Sequence, residues 1–359
     1  MHLRHIAASE LEKHPAYDRH EEVLRVEDPQ VGLSAFIALH DTTLGPALGG
    51  CRVWRYASEA EALTDALRLS RGMTYKNALA GLNLGGGKAV IALQPGTAPS
   101  PALFRSFGAA IEELSGRYVT AEDVGTSPRD MASVAQSTAH VRGTPGSGVE
   151  DPSPFTALGV FHGILAAVEH RFGARDLEGL TASVQGLGHV GWRLAEKLAR
   201  SGARLIVSDL DEARVERARA EWDAMVEHPA RAHAARAEIF VPCALGAGLN
   251  RTTIPQISAD IVAGAANNQL ETREDAIRLT EKSILYAPDY AINAGGVIAL
   301  ALAGTRRAST GATEKVEAIG ATLAAIFARA SREGRTTAEI ADQLAEERLT
   351  AARRRSQAA

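Results

Sequence analysis

The chain has 359 residues, of which 45% are apolar, and a formal net charge of −4. This length exceeds what one hydrophobic core usually supports, so we expect two domains, and the small net charge gives no electrostatic reason to expect nucleic acid or anionic lipid as a partner. No apolar run is long enough for a signal peptide or a membrane span, which predicts a cytoplasmic protein, and the two cysteines, Cys51 and Cys243, are too few for a disulfide framework and lack the spacing of a metal site.

The N-terminal part mixes predicted strands and helices. Strands are predicted at residues 32–39, 47–56, 89–93 and 118–124. Helices are predicted to begin at the capping residues Ser58, Ser100 and Ser127. The first of these helices is expected to run to about Met73, and the glycine-rich stretch 81–88 separates it from the next strand.

A linker is predicted at residues 142–153, which contain three glycines and two prolines. We therefore expect residues 1–146 to form a substrate-binding, catalytic and oligomerisation domain and residues 147–325 to form a nucleotide-binding domain. The C-terminal stretch 313–350 is helical in period, and the C-terminal helices from about residue 326 to 359 are candidates to pack back on the first domain.

A dinucleotide site is predicted where the pattern changes to strand, glycine turn, helix and strand after Leu180. The segment GLGHVG places Gly186, Gly188 and Gly191 in G-x-G-x-x-G order between strand and helix, with His189 and Val190 inside it. These glycines permit a tight turn, a close approach of a pyrophosphate and close packing of helix on strand. Asp209 ends the next strand, where a carboxylate can accept hydrogen bonds from a ribose 2′-hydroxyl and repel a 2′-phosphate, which favours NAD over NADP. The predicted fold class is therefore α/β, with a mixed α/β N-terminal domain and a Rossmann-type NAD-binding domain separated by a cleft.

Two lysines twelve residues apart are candidates for the chemistry. Lys76 lies in MTYKNALAG, and Lys88 ends a predicted glycine loop, Gly85–Gly87, just before a strand. Consecutive glycines let a ligand approach the backbone, and a strand offers rigid support for an ammonium group. The segment is not a phosphate-binding P-loop, because alanine follows the lysine.

Several long blocks resemble the glutamate/leucine/phenylalanine/valine dehydrogenase family. They are GPALGGCR, MTYKNALAGLNLGGGKAVI, GRYVTAEDVGT, PSPFTALGV, GLGHVG, PCALG, GAANNQL and YAPDYAINAGGVI, in the same order as in the family and spread over residues 45–298. The resemblance implies NAD-dependent oxidative deamination of an L-amino acid to a 2-oxo acid and ammonia.

The resemblance also implies roles for individual residues. Lys76 would bind the substrate α-carboxylate, Lys88 would act on the water that hydrolyses the imine, and Asp123 would shuttle protons. Two neighbouring ammonium groups disfavour each other's charged forms, which suits one lysine to general-base catalysis. Gly49, Gly50 and Asn268 are expected near the substrate carboxylate and amine, and Thr156, Cys243, Ala244 and Asn267 are expected near the cofactor.

The side-chain pocket implied by the resemblance is apolar. It comprises Leu48, Ala121, Val297 and Leu300. Leu48 stands where a glutamate-specific enzyme needs a cation, and an unpaired buried carboxylate would cost several kcal/mol, so glutamate is disfavoured. The pocket favours leucine, valine or isoleucine.

Two alternatives stay open. Phenylalanine dehydrogenase is the rival within the family, and a catalytically silent NAD-binding amino acid sensor is the rival from another class, although the intact lysine pair and Asp123 argue against it. The sequence departs from the family pattern at Cys51, where threonine is common, and over residues 301–312. A homo-oligomer, either a dimer or an octamer, is expected by family likeness.

Overall fold

The computed structural model describes residues 1–94, 96–146, 149, 151–244, 246–303 and 310–358. The chain divides into two compact units. Unit 1 comprises Met1–Asp151, Leu300–Ala308 and Ala345–Ala359, and unit 2 comprises Pro152–Ala299 and Ser309–Leu344. Across the described residues, no helix combines the length and apolar character that a membrane crossing requires.

Unit 1 is built on a mixed sheet that contains seven strands in the described part of the chain. The strands are β1 (His2–His5), β2 (Glu22–Asp28), β3 (Leu33–Asp41), β4 (Ala47–Leu48), β5 (Cys51–Trp54), β6 (Gly85–Ala92) and β7 (Tyr118–Val119). Their order is β1-β2-β3-β6-β4-β7, and β5 also pairs with β6. Strands β1, β2, β3 and β6 pair antiparallel with one another in that order. Strands β4 and β5 each pair parallel to β6, and β7 pairs parallel to β4.

Four helices of unit 1 accompany this sheet before residue 151. They are α1 (Ala8–Leu11), α2 (Glu59–Leu79), α3 (Pro101–Glu112) and α4 (Pro128–Val134). The predicted caps are present: Ser58, Ser100 and Ser127 each accept a hydrogen bond from the backbone amide three residues later. The strand alternation places neighbouring side chains on opposite faces of the sheet. Leu24, Ile37 and Ile91 therefore pack with Phe104 and Phe107 of α3. Val23, Phe36 and Val90 pack with Ala66 and Leu67 of α2.

Four sequence predictions in unit 1 were wrong in detail. The strand expected at 47–56 is interrupted at Gly49–Gly50, and the strand expected at 118–124 ends at Val119, with only isolated bridges beyond it. The glycines expected to form a loop lie inside β6, and α2 continues past Met73 to Leu79. The last two differences accompany close packing of α2 on β6. A Cβ atom on Gly86 would lie 2.1 Å from the Thr74 amide nitrogen, so only glycine lets helix and strand backbones meet here.

Unit 2 is built on a parallel sheet of six strands among the residues described. They are β8 (Thr181–Gln185), β9 (Arg204–Ser208), β10 (Met225–Val226), β11 (Ile239–Pro242), β12 (Ile261–Val262) and β13 (Leu285–Tyr286). Their order is β10-β9-β8-β11-β12-β13, and every neighbouring pair is parallel. This is the doubly wound order, in which ligands bind at the carboxyl ends of the strands near the reversal at β8. The predicted α/β fold class, with a mixed sheet followed by a parallel sheet, is confirmed.

Nine helices among the described residues precede, connect or follow these strands. They are α5 (Ser153–Phe172), α6 (His189–Arg200), α7 (Glu212–Trp222), α8 (Glu274–Glu281), α9 (Asp289–Ile292), α10 (Gly295–Leu302), α11 (Thr310–Glu317), α12 (Ile319–Glu333) and α13 (Thr337–Ala358). Helix α5 begins at Ser153, and its N-cap is Pro152. The helical period predicted over 313–350 resolves into parts of α11, α12 and α13, because Gly334 ends α12 in the left-handed conformation with φ of 65°.

The last helix, α13, contributes its C-terminal part to unit 1. Arg348 donates to the carbonyl oxygens of Asn77, Ala78 and Leu82, the last at 2.8 Å, and to Asn83 Oδ1 at 3.2 Å. These acceptors lie at and just beyond the end of α2, where helix carbonyls lack partners within the helix. The guanidinium group therefore caps the helix that carries Lys76.

Replacing Arg348 with methionine should destabilise the protein by about 1–3 kcal/mol, because a charged donor is removed from partly buried carbonyl groups. Urea unfolding followed by circular dichroism measures this change. Arg354→Met is the matched control, because Arg354 is an exposed residue of the same helix. Equal losses in the two variants would show that the cap contributes nothing specific.

Candidate active site

Lys88 and Asp123 form a direct ion pair in unit 1. Lys88 lies in the middle of β6, and its Nζ donates to Asp123 Oδ2 at 2.5 Å. The side chains are only 6% and 17% exposed. Burial opposes ionisation of Asp123, but the Lys88 ammonium and the Arg52 guanidinium outweigh it and lower the pKa of Asp123 to about 2. Asp123 is therefore an anion throughout the physiological pH range.

The glycine pair Gly49–Gly50 brings backbone close to this ion pair. A Cβ atom on Gly50 would lie 2.8 Å from Asp123 Cβ, and one on Gly49 would lie 1.8 Å from the Gly87 carbonyl oxygen. The Tyr118 hydroxyl donates to the Gly49 carbonyl oxygen at 2.7 Å and holds this loop. Leu48, which precedes the glycines at the end of β4, is 2% exposed.

Backbone pairing with Cys51 brings Ala121 close to the glycine pair Gly49–Gly50. The Cys51 amide donates to the Ala121 carbonyl oxygen at 2.8 Å. Ala121 is 4% exposed, and Cys51 is a free, buried thiol whose pKa burial raises. The structure thus gathers Leu48, Gly49, Gly50 and Ala121 around Lys88 and Asp123.

Lys76 occupies the last turn of α2. Thr74, two residues before it, makes the contact with Gly86 that seats α2 on β6. The next residue, Asn77, is buried, and its side-chain amide donates to the Gly85 carbonyl oxygen at 2.6 Å. The two predicted lysines therefore lie on elements whose backbones touch. The predicted effect of one ammonium group on the other stays a prediction.

The glycine fingerprint in unit 2 has the geometry that a dinucleotide needs. Gly186 adopts a φ of 97°, and a Cβ atom on Gly191 would lie 1.9 Å from the Gly186 carbonyl oxygen. Gly188 is the N-cap of α6, with open space around its Cβ position, and His189 and Val190 form the first turn. The first-turn amides of a helix have no partners within it, so they can receive a phosphate over Gly188.

Asp209 follows β9 and faces the fingerprint loop. Its Oδ2 accepts a hydrogen bond from the Leu187 amide at 2.6 Å, and its Oδ1 accepts one from the Asp211 amide at 2.8 Å. Cys243 and Ala244 follow β11 and lie beside Gly186. A Cβ atom on Gly186 would lie 3.1 Å from the Ala244 amide nitrogen. These residues are candidates to hold the ribose and pyrophosphate of a dinucleotide.

The loop before Gln269 is held in an unusual conformation. Asn268 has a φ of 51°, in the left-handed region, and its amide donates to Asp289 Oδ2 at 2.7 Å. Asn293 donates to Asn267 Oδ1 at 2.8 Å. A strained residue fixed by buried partners is typical of ligand-binding sites.

The remaining predicted residues are distributed between the two units. Thr156 on α5 lies against α10, because a Cβ atom on Gly296 would lie 2.7 Å from Thr156 Oγ1. Val297 is the residue after Gly296 in α10. Leu300 belongs to unit 1, where its side chain packs near Gly143. A Cβ atom on Gly143 would lie 3.4 Å from Leu300 Cδ2. Within the unusual segment 301–312, residues 304–309 lie outside the described residues.

Comparison with known proteins identifies the family. Residues 20–140 match the dimerisation domain of the Glu/Leu/Phe/Val dehydrogenases, and residues 212–355 match the glutamate/leucine/phenylalanine/valine dehydrogenase domain. Leucine dehydrogenase of Geobacillus stearothermophilus is 49% identical over 342 residues, which cover 94% of this chain and 92% of that protein. The chain belongs to this family.

Two further relatives carry other names. Phenylalanine dehydrogenase of Bacillus thermotolerans is 43% identical over 346 residues, covering 94% of this chain and 90% of that protein. The crystal structure of L-tryptophan dehydrogenase from Nostoc punctiforme matches with a TM-score of 0.82 at 43% identity, covering 94% of this chain and 97% of that one. The family resemblance inferred from the sequence is confirmed, and the protein is an NAD(P)-dependent amino acid dehydrogenase.

Sequence reasoning missed several residues that support the site of this dehydrogenase. Arg52 reaches Asp123, and Asp289 and Asn293 hold the Asn267–Asn268 loop. The sequence contains one indication of the role of Arg52, which is a charged residue inside an otherwise apolar strand directly after the glycine pair. It contains none for Asp289 and Asn293, because their partners lie more than 20 residues away in the sequence.

Proposed function

We propose that this dehydrogenase catalyses the reversible NAD-dependent oxidative deamination of a branched-chain L-amino acid. The reaction converts the amino acid, NAD and water into the 2-oxo acid, NADH and ammonia. The observation that carries the proposal is the buried Lys88–Asp123 ion pair beside the glycine pair Gly49–Gly50. This pair supports the proposal because it joins a cation and an anion that are both rigidly supported, and in the proposed reaction both meet the amino acid.

In this proposal the residues of unit 1 perform the proton transfers. Lys76 binds the substrate carboxylate as a cation. Lys88, after losing a proton, accepts one from the water that attacks the iminium carbon. Asp123 moves protons between the nitrogen and the oxygen of the resulting carbinolamine as ammonia leaves. NAD supplies the acceptor for the hydride that leaves the substrate Cα.

The residues of unit 2 that fit NAD are the fingerprint loop and Asp209. The Asp209 carboxylate already accepts two backbone hydrogen bonds, which hold it beside Leu187. A carboxylate at this position favours a ribose hydroxyl and repels a 2′-phosphate. NAD is therefore the proposed cofactor, with Thr156, Cys243, Ala244 and Asn267 nearby.

Branched aliphatic substrates are proposed because the residues near the ion pair are apolar. Leu48 and Ala121 are 2% and 4% exposed, and neither offers a partner to a side-chain carboxylate. Relatives of 47–49% identity are named leucine dehydrogenases, whereas those named tryptophan and phenylalanine dehydrogenases are 43–45% identical. Phenylalanine dehydrogenase is the second candidate, because one methylene changes the binding free energy by only about 1–3 kcal/mol.

A homo-oligomer is also proposed. The match of residues 20–140 to a dimerisation domain supports at least a dimer, and an octamer is the alternative. Analytical ultracentrifugation of the purified chain separates the two.

The substrate is tested by following NADH absorbance with leucine, valine, isoleucine, phenylalanine, tryptophan and glutamate. We expect kcat/KM for a branched-chain amino acid to exceed that for either aromatic amino acid by about tenfold, the discrimination available from one or two methylene-sized differences in fit, and glutamate to be the poorest. A kcat/KM for phenylalanine tenfold above that for leucine would reassign the substrate. NAD binding without turnover of any amino acid would instead support the sensor.

A further inference from the structure

We propose that Arg52 is a positioning residue for Asp123 and that Asp65, on helix α2, controls how strongly Arg52 holds it. This inference rests on the proposed function, because it assigns Arg52 and Asp65 to the same reaction centre. Neither residue belongs to the set predicted from the sequence.

The Arg52 guanidinium bridges two carboxylates. Its Nε lies 3.2 Å from Asp123 Oδ2, and its Nη1 lies 2.9 Å from Asp65 Oδ2. The side chains of Arg52 and Asp65 are 17% and 25% exposed, so water screens these contacts little. A planar guanidinium fixes the direction of both hydrogen bonds, so a displacement of Asp65 is transmitted to Asp123.

Asp65 is itself anchored. The Tyr56 hydroxyl donates to Asp65 Oδ2 at 2.5 Å, the same oxygen that accepts from Arg52. Asp65 and Lys76 both lie on α2, eleven residues apart. At 3.6 residues per turn this spacing is about three turns, so both residues lie on one face of the helix. Helix α2 therefore carries the proposed carboxylate-binding lysine and the anchor of Arg52.

Asp123 Oδ2 accepts from two cations at once, Lys88 and Arg52. In the proposed reaction Lys88 acts after losing its proton, and Asp123 then loses one of its two counter-charges. Arg52 cannot lose its charge in this way, so it keeps Asp123 in place as an anion during that step. A fixed cation nearby also favours proton loss from Lys88, and the Asp65 carboxylate opposes this effect.

Among the described residues, Cys51, Tyr118 and Glu122 also lie near Asp123, and these three supply no positive charge. Burial raises the pKa of Cys51 and of Tyr118, so both stay neutral. Burial and then the carboxylates of Asp151, Asp130 and Asp123 raise the pKa of Glu122. Tyr56, which faces Asp65 and Arg52, also has a pKa raised by burial and by Asp65. Arg52 therefore provides the fixed positive charge that these neighbours lack.

The test measures how kcat/KM for oxidative deamination of leucine depends on pH, from 7 to 10. It compares the wild-type full chain with three test variants and one control variant. In the wild type kcat/KM should rise with pH. In Arg52→Gln we expect a loss of about 10- to 100-fold at pH 8, in the range of other supporting groups in active sites, and a displacement of the rise to higher pH. In Asp65→Asn we expect displacement to lower pH, because the Asp65 carboxylate no longer offsets the positive charge of Arg52 near Lys88. Arg52→Lys should restore most of the profile, since it keeps the charge.

Arg55→Gln is the matched control. Arg55 is an exposed arginine three residues further on, and it donates to the carbonyl oxygens of Gln94 and Thr97. Its profile should equal that of the wild type. Thermal unfolding of each variant identifies any that fail to fold, and Asp65→Asn and Arg52→Lys then carry the test.

A structural role alone would lower kcat/KM in Arg52→Gln and Asp65→Asn without displacing the two profiles in opposite directions. If the pH profiles of the two variants move in the same direction, or do not move, the inference is overturned. The proposed function still stands in that case, provided that the wild type deaminates leucine. A wild type that binds NAD but deaminates no amino acid would overturn both.

Discussion

The variant Lys88→Ala is expected to lose about 10³-fold or more in kcat for amino acid deamination, because the group proposed to activate water is removed. The dissociation constant of NADH should change by less than about twofold, a shift well below the 1.4 kcal/mol that corresponds to a factor of ten. The reason is that Lys88 belongs to unit 1, whereas the fingerprint loop and Asp209 belong to unit 2. Steady-state kinetics and a titration of NADH fluorescence measure the two quantities on the same preparation.

Lys13→Ala is the matched control for this experiment, since Lys13 is an exposed lysine of the same unit. It should leave both quantities unchanged. A parallel loss of turnover and NADH affinity in Lys88→Ala would contradict the assignment of Lys88, because it would point to a general disturbance of the protein.

The second large effect is expected for Asp123→Asn. Turnover should fall by about 10²- to 10⁴-fold, because an amide cannot accept a proton from the carbinolamine. The substitution also leaves the Lys88 ammonium and the Arg52 guanidinium facing a neutral group. We therefore expect a loss of stability as well as of activity.

The sign of the pH dependence follows from the lowered pKa of Asp123. Its pKa falls from 3.8 to about 2, so the ionised group stabilises the folded state above about pH 4, and this contribution disappears as the pH falls towards 2. Asp123→Asn should cost on the order of 2 kcal/mol at pH 7, and the difference from the wild type should shrink in acid. Urea unfolding at pH 7, 4 and 2.5 measures this difference.

Asp223→Asn provides the control, because Asp223 is exposed at the C-cap of α7 in the left-handed conformation, which asparagine also tolerates. Its stability should follow that of the wild type at every pH. An Asp123→Asn variant destabilised equally at pH 7 and pH 2.5 would show that the charge on Asp123 contributes nothing.

The sequence predicted those parts of the fold that depend on local signals. The caps at Ser58, Ser100 and Ser127 are set by residues within one turn. The glycine fingerprint likewise identified the turn between β8 and α6. Such features involve short separations along the chain, so their residues alone determine the geometry.

Features that depend on distant partners were not predicted. Gly85–Gly87 were expected to form a loop, yet they lie in β6 because α2 packs on their backbone through Thr74. The contact of Arg52 with Asp123 joins residues 71 positions apart, and no local pattern encodes it. The site was therefore predicted through its family blocks, while its supporting contacts required the structure.

The cap that Arg348 places on α2 has a consequence for the order in which the protein forms during translation. The ribosome releases residues 1–151 long before residues 345–359, yet both belong to unit 1. The N-terminal portion of the nascent chain therefore waits, with the end of α2 uncapped, until the segment that carries Arg348 has been synthesised and released. A chain truncated before residue 345 would contain every proposed active-site residue and would lack the segment that completes unit 1.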